Sequence, residues 1–502
     1  MMNSVCNNSG RGAYNKTCLR ELFVLKKQMK VKLILPSLIE AKTAFRRPIK
    51  YSLFPPLGLA TLAAFLNRDD EIDIQDQHVE KLKLDDTPDL VLIQVYITNA
   101  KRAYSIARQY RDRGIFVALG GLHVTALPEE AEKHADSIFI GPAEQTFPDF
   151  LMDFKTKRTK RRYISAKGRT IQNIPPIRRD LIKREKYLVP NSLVMSRGCP
   201  HHCDFCYKDA FFRGGISFYT QRVDEILTEI SRLKGRHLYF LDDHLLGNPI
   251  LATELFEGMR GMNRVFQGAA TVKSILEGDL IERAAKAGLR SLFVGFETFS
   301  PENLKQSNKS QNLKLDYERA VQRLHDLGIM INGSFVFGLD NDHSDVFRRT
   351  VEWGVKNAIT TATYHILTPY PGTRLYHSML NSGRIVTTDW DLYDTRHVVF
   401  KTRGLSASEL ENGYWWAYKE FYKWNNVLKA SFSHDTFRHQ MKHLFYTGGW
   451  KKFEELWNVI INIGGLQKML PLLELLLCEI EPGNKKNREP QYARPSSSVI
   501  PT

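Results

Sequence analysis

Cysteine is scarce in this chain of 502 residues, which holds only six: Cys6, Cys18, Cys199, Cys203, Cys206 and Cys478. Use this sparse excludes a disulfide framework and fits a reducing, cytoplasmic compartment. Between Met29 and Ser196 there is no cysteine at all, so the first third of the chain cannot hold a cysteine-ligated cluster. The glycine fingerprint GxGxxG is also missing, and a dinucleotide is not indicated. No uninterrupted apolar run is long enough for a membrane span: Leu456 to Ile480 is apolar but is broken by Asn458, Asn462, Lys468, Pro471 and Glu474. That stretch still allows peripheral contact with a lipid surface. The first 28 residues lack the apolar core and small-residue cleavage site of a secretory signal, and a strand-like segment starts directly after Met29. Met29 is therefore the expected start of the fold. Acidic residues are outnumbered, 55 against 71 basic ones, for a formal charge of +16. Part of the excess lies in the run Lys155 to Arg162, which reads as a solvated linker rather than a nucleic-acid contact.

What is present from Met29 onward is an alternation of short apolar runs with helical periodicity, the pattern of a parallel α/β unit. Strands are expected at Val31 to Leu35, Glu71 to Ile74, Asp89 to Tyr96, Ile115 to Leu119 and Ser137 to Ile140, with a helix over Pro55 to Leu66. Five strands with intervening helices make a Rossmann-like domain, whose ligands bind at the carboxyl ends of the strands. Those ends carry Tyr96 to Asn99, then Gly120-Gly121-Leu122-His123, then Gly141-Pro142-Ala143-Glu144. After a charged stretch broken by Pro175-Pro176, a second series begins at Leu193. Its further strands are expected at His237 to Leu241, Gly268 to Val272, Ser291 to Gly295, Asn332 to Phe337 and Tyr364 to Leu367, with helices such as Asp279 to Ala287, capped by Asp279. Six strands in βα order suit a partial (β/α)6 barrel of TIM type, in which function collects on the carboxyl-end loops.

The first of those loops is RGCPHHCDFCY, Arg197 to Tyr207, where Cys199, Cys203 and Cys206 stand in the spacing CxxxCxxC. Three thiolates suit a soft metal centre and leave one coordination position to something other than protein. The competing reading is zinc with His201 or His202 as a fourth ligand. For His201, His202 and His244, solvent-facing or hydrogen-bonded loop roles are expected. Other strand ends carry Asp242 and Asp243, then Lys273, then Glu297.

The spacing CxxxCxΦC, with Phe205 before the last cysteine, resembles the signature of the radical S-adenosylmethionine (SAM) superfamily. GGLHVTALPEE (Gly120 to Glu130) and GPAEQTFPDF (Gly141 to Phe150) resemble the GGxHxTxxPEE and GEGExTFxxL segments of its cobalamin-dependent class, with Pro142-Ala143 replacing the usual Glu-Gly. TPYPGT, Thr368 to Thr373, resembles the superfamily's closing strand and turn. The resemblance covers roughly residues 30 to 400. It implies a 4Fe-4S cluster on Cys199, Cys203 and Cys206, SAM near Phe205, Asp242, Lys273 and Glu297, and cobalamin near Thr98, Gly120, Gly121, Gly141 and Glu144. Asp76-Gln77-His78 superficially offers a cobalt-ligating DxH, but it follows the second strand and has Lys81 where that motif has glycine. His78 is expected to be a surface or loop histidine.

On this basis the chain divides into a leader at 1–28, a cobalamin-binding domain at 29–153, a linker at 154–188, a radical SAM domain at 189–400, a helical domain at 401–485 and a disordered tail at 486–502. The resemblance implies a C-methyltransferase: a 5′-deoxyadenosyl radical takes hydrogen from an unactivated carbon, methylcobalamin supplies the methyl group, and a second SAM recharges the cobalt. The expected partners are a small-molecule or lipid-like substrate and an electron donor such as flavodoxin or ferredoxin, with no nucleic acid. A cyclase or rearrangement enzyme with the same cofactors stays open, as does a zinc-binding interaction module. An RNA methylthiotransferase would need three further cysteines that the N-terminal region lacks. The aromatic stretch Tyr414 to Trp424 reads as helical core packing.

Overall fold

The computed structural model describes residues 28–38 and 53–453. The leader, Cys6, Cys18, the apolar stretch after Leu456, Cys478 and the polar tail lie outside the described residues.

Two six-stranded parallel sheets carry the fold. The first contains β1 (Lys30–Leu35), β2 (Glu71–Asp76), β3 (Leu90–Gln94), β4 (Phe116–Gly120), β5 (Ser137–Ile140) and β6 (Arg162–Ile164), in the spatial order β2-β1-β3-β4-β5-β6. Its central strands are apolar along their whole length because helices cover both faces. Val91, Ile93, Val117 and Leu119 pack with the helix Ala100–Arg111 on one side, and Leu90, Leu92 and Ala118 with Phe147 and Phe150 on the other. The sixth strand was not expected. It lies at the end of the basic run read as a solvated linker, and it pairs in parallel with β5 through Ile138–Arg162, Phe139–Tyr163 and Ile140–Ile164. Tyr163 alone turns inward, while Arg162 grips Glu132 with two hydrogen bonds of 2.6 Å. The end of the run is thus structural.

The second sheet contains β7 (Ser192–Leu193) and then, beyond the small antiparallel pair β8 (Ser196–Gly198) and β9 (Phe218–Thr220), the strands β10 (His237–Phe240), β11 (Val265–Thr271), β12 (Leu289–Glu297), β13 (Met330–Phe337) and β14 (Thr361–Ile366). Their order, β7-β10-β11-β12-β13-β14, follows the chain, so each helix crosses to the next parallel strand as in a partial barrel. A single apolar core runs beneath the helices, from Leu193 and Ile226 through Phe240, Phe266 and Phe296 to Tyr364. Asp279 does stand at a helix N-terminus but its side chain does not cap it; it pairs instead with Arg283 at 2.8 Å. The expected aromatic packing holds for Tyr414 and Phe421, which are buried against the barrel, whereas Trp415, Trp416 and Trp424 are exposed.

Candidate active site

The cysteine loop leaves the barrel through β8, and its entry is fixed by Gly198. There φ is +75° and a Cβ would lie 1.9 Å from the Ser217 carbonyl oxygen, so no side chain is tolerated. Cys203 is buried and Cys199 and Cys206 half-buried. The loop is held from within by Lys208, only 1% exposed, whose Nζ donates to the carbonyls of Cys199, at 2.8 Å, and of His201. Asp209 balances its charge at 2.9 Å. Burial pushes the Cys199 thiol up and the Cys206 thiol up to about 12. A bound cation is what would hold these sulfurs as thiolates.

The neighbouring strand ends close around the loop, though not all as expected. Asp242 is 3% exposed, and its carboxylate accepts hydrogen bonds from the Met195 and Ser196 amides and the Ser196 hydroxyl at 3.1, 2.5 and 2.5 Å. It is therefore a fastener between strands. Asp243 is the exposed carboxylate of the pair; the Tyr207 hydroxyl donates to it at 2.7 Å. Strand alternation carried the signal: Leu238 and Phe240 point into the core, and the same period of two puts residue 242 inside and 243 outside. Burial pushes Asp242 up to about 6 against those hydrogen bonds.

Lys273 is half-exposed and pairs with Glu277 at 3.6 Å. Its charge still reaches His201, which burial first, and then Lys309 and Lys273, hold down at about 4. Glu297 ends β12 with φ +62°, a backbone strain for a non-glycine residue, and is locked by Lys309 at 2.7 Å. Burial would lower the Lys309 ammonium, yet Glu297 and Cys203 more than offset it and leave it raised. Sequence reasoning missed both Lys208 and Lys309, since neither stands at a strand end. Phe205 packs partly buried against Val336, Leu339, Leu367, Met379 and Phe400, so its observed role is to anchor the loop to the far strands.

The histidines divide between exposed and buried positions. His202 is exposed and faces Asp209 at 3.1 Å, which fits a loop role. His244 takes the hydrogen-bonded alternative: it is 3% exposed, its Nε2 lies 3.4 Å from the Thr271 hydroxyl, it stacks on His201 at 5.7 Å, and its Nδ1 is buried without a partner among the described residues. His78 is likewise buried, 7% exposed, with Nδ1 2.7 Å from Asp76 and Nε2 accepting the Leu38 amide at 3.1 Å. The nitrogen that a lower cobalt ligand would use is thereby occupied. Among the described residues no three His, Cys, Asp or Glu side chains gather as a single-ion site, which is the arrangement zinc would need.

The glycine-marked loops of the first sheet meet the cysteine loop across two cavities. One, about 130 Å³, is lined by Gly58, Gly120, Gly121, Gly141, Glu144 and Arg197 among others. Gly121 has φ +116°, and a Cβ there would lie 2.7 Å from the Val95 carbonyl oxygen. Glu144 accepts from Arg197, on β8, at 2.9 Å, so one ion pair ties the two domains directly before the first cysteine. Thr98 does not join these residues. It lines the second and larger cavity, about 460 Å³, with Tyr96, His123, Tyr207, His365 and Tyr393. Glu130 of the PEE segment accepts from Tyr104 and from Trp390 Nε1 and lies 2.9 Å from His123 Nε2, which knots the loop to the short 3-10 helix Trp390–Leu392 that follows the barrel.

Three cysteines on one loop fit a cluster with SAM, and the glycine-walled space lined by Arg197 fits a large cofactor. Residues 193–354 match the Radical SAM superfamily and residues 51–151 the B12 binding domain. The chain belongs to the cobalamin-binding radical SAM enzymes. Its cofactors are a 4Fe-4S cluster, SAM and cobalamin. This radical SAM enzyme is 29% identical to the bacteriochlorophyllide d C-12(1)-methyltransferase of Chlorobaculum tepidum over 68% of this chain and 76% of the relative. It is 25% identical to the hopanoid C-2 methylase of Rhodopseudomonas palustris over 67% and 66%. Its fold is also that of OxsB, a cobalamin-dependent SAM radical enzyme, with TM-score 0.64 and 17% identity over 87% of this chain and 73% of the other. No helix among the described residues is long and apolar enough to cross a membrane.

Proposed function

We propose that this enzyme is a C-methyltransferase acting on an unactivated carbon of a small, predominantly apolar or lipid-like substrate. The observation that carries the reading is the cavity of about 460 Å³, in which Thr98 and His123 of the B12 domain face Tyr207, the residue directly after Cys206. A substrate held there lies between both cofactor sites. When bound, the cluster and SAM supply radical initiation, and cobalamin carries the methyl group.

The chain's own residues position and enclose. Tyr96, Tyr370 and Tyr393 give the cavity a mainly apolar wall, with His365, Asp394 and Thr395 as a polar group at one side, a division suited to an amphiphilic molecule. Tyr207 and Asp243 share one hydroxyl proton between the cysteine loop and β10 and leave Asp243 as the accessible carboxylate for the SAM ammonium. Lys309 and Glu297 neutralise one another beside Cys203 and so place no net charge there. Electrons would come from a flavodoxin- or ferredoxin-type donor in the cytoplasm.

The test is anaerobically reconstituted enzyme with methyl-labelled SAM and an apolar extract. Label in both S-adenosylhomocysteine and an extractable product is expected. Formation of 5′-deoxyadenosine without a methylated product sinks methyl transfer and favours a cyclase or rearrangement. About four irons per chain should be found, and Cys203→Ala should lose them.

A further inference from the structure

Helices on a protein surface ordinarily turn apolar residues inward and polar ones outward. The helix Trp424–Phe432 buries Val427, Ala430 and Ser431, yet also turns Trp424, Leu428 and Phe432 outward, at 43%, 38% and 62% exposure. These three stand four residues apart, on one stripe. The helix Phe437–His443 and the π-helix that continues it repeat the pattern: Phe437, Met441 and Phe445 are 75%, 43% and 48% exposed. Isolated exposed apolar side chains need no explanation, but two successive stripes do.

The charged residues beside the stripes are mainly basic. Lys429 and Arg438 are exposed, and the Lys452 ammonium lies 5.2 Å from the centre of the Trp424 ring. Asp435 is the exposed acid between the helices, while Glu420 is already paired with Lys423 at 2.5 Å. We propose that this face is a peripheral docking surface for an anionic lipid bilayer. Aromatic and thioether side chains enter the acyl boundary, cations at the rim meet lipid phosphates, and the formal charge of +16 adds long-range attraction.

The surface is an anchor rather than an entrance. Lys442 donates to the Gly328 carbonyl, and Thr447 donates to that of Thr360 at 2.6 Å. Both carbonyls precede β13 and β14, at the end of the barrel opposite the cysteine loop.

The test is sedimentation of the full-length holoenzyme with vesicles of phosphatidylcholine, with and without phosphatidylglycerol. The wild-type enzyme should sediment with the anionic vesicles and much less with the neutral ones. Phe432→Glu/Phe437→Glu should weaken partitioning by at least about tenfold while iron content and secondary structure stay unchanged. Lys429→Glu/Arg438→Glu should lose the preference for anionic lipid. Wild-type enzyme that stays in the supernatant, as it would if its own residues after Phe453 covered the face, overturns the proposal. So does a phenylalanine double variant that still sediments, or one that converts a dimer to a monomer by light scattering.

Discussion

At the scale of single residues, the domains are joined most tightly where charge is shielded from water. Arg197 and Glu144 form such a pair, with side chains 30% and 11% exposed. Glu144→Gln should leave the guanidinium poorly compensated and lower stability by about 2 kcal/mol, read from the denaturant midpoint, with weaker cobalamin retention in the same protein. Asp342 shows the opposite electrostatic sign. It accepts amide hydrogens from Gly338, Leu339 and Asn303, yet burial pushes it up to about 6 from an ordinary value of 3.8. The folded state therefore holds this proton more tightly than the unfolded chain. Its contribution is full below the ordinary value and is lost as pH rises through about 6. The stability lead of the wild-type enzyme over Asp342→Asn should shrink between pH 4 and 7, values bracketing that window; a constant lead would contradict it. The three cysteines were legible because their spacing is local. Lys208, Lys309 and Arg197 were not, since what each does depends on carbonyls or carboxylates brought to it by folding. The choice between Asp242 and Asp243 was legible in strand alternation, a rule stronger there than motif position.

At the scale of elements, apolar runs marked the two sheets because parallel strands buried on both faces have little else in their sequence. β6 escaped because only one of its three residues, Tyr163, is buried, and the residues before it are basic. The glycine loops after β4 and β5 are exacting in a different way. Gly121→Ala must move the Cβ away from the Val95 carbonyl or change a φ of +116°, and it should cost about 2 kcal/mol and reduce bound cobalamin. Cobalt analysis of the purified variant beside the wild type measures the second effect. Equal cobalt content would separate this loop from the cofactor.

At the scale of the whole molecule, the segment between the domains belongs to both. Its Arg162 to Ile164 completes the first sheet, and Arg169, 6% exposed, donates to the carbonyls of Phe212, Arg213 and Ile216 just beyond the cysteine loop. A fragment ending at residue 153 should expose the edge of β5 and self-associate, whereas one ending at 188 keeps β6; light scattering of the two distinguishes them. For anyone wishing to exchange domains among related enzymes, the seam is thus neither before nor after this segment. Strand and arginine have different hosts, so a graft works only if residues 162–164 travel with the first sheet and the pocket for residue 169 is rebuilt in the recipient.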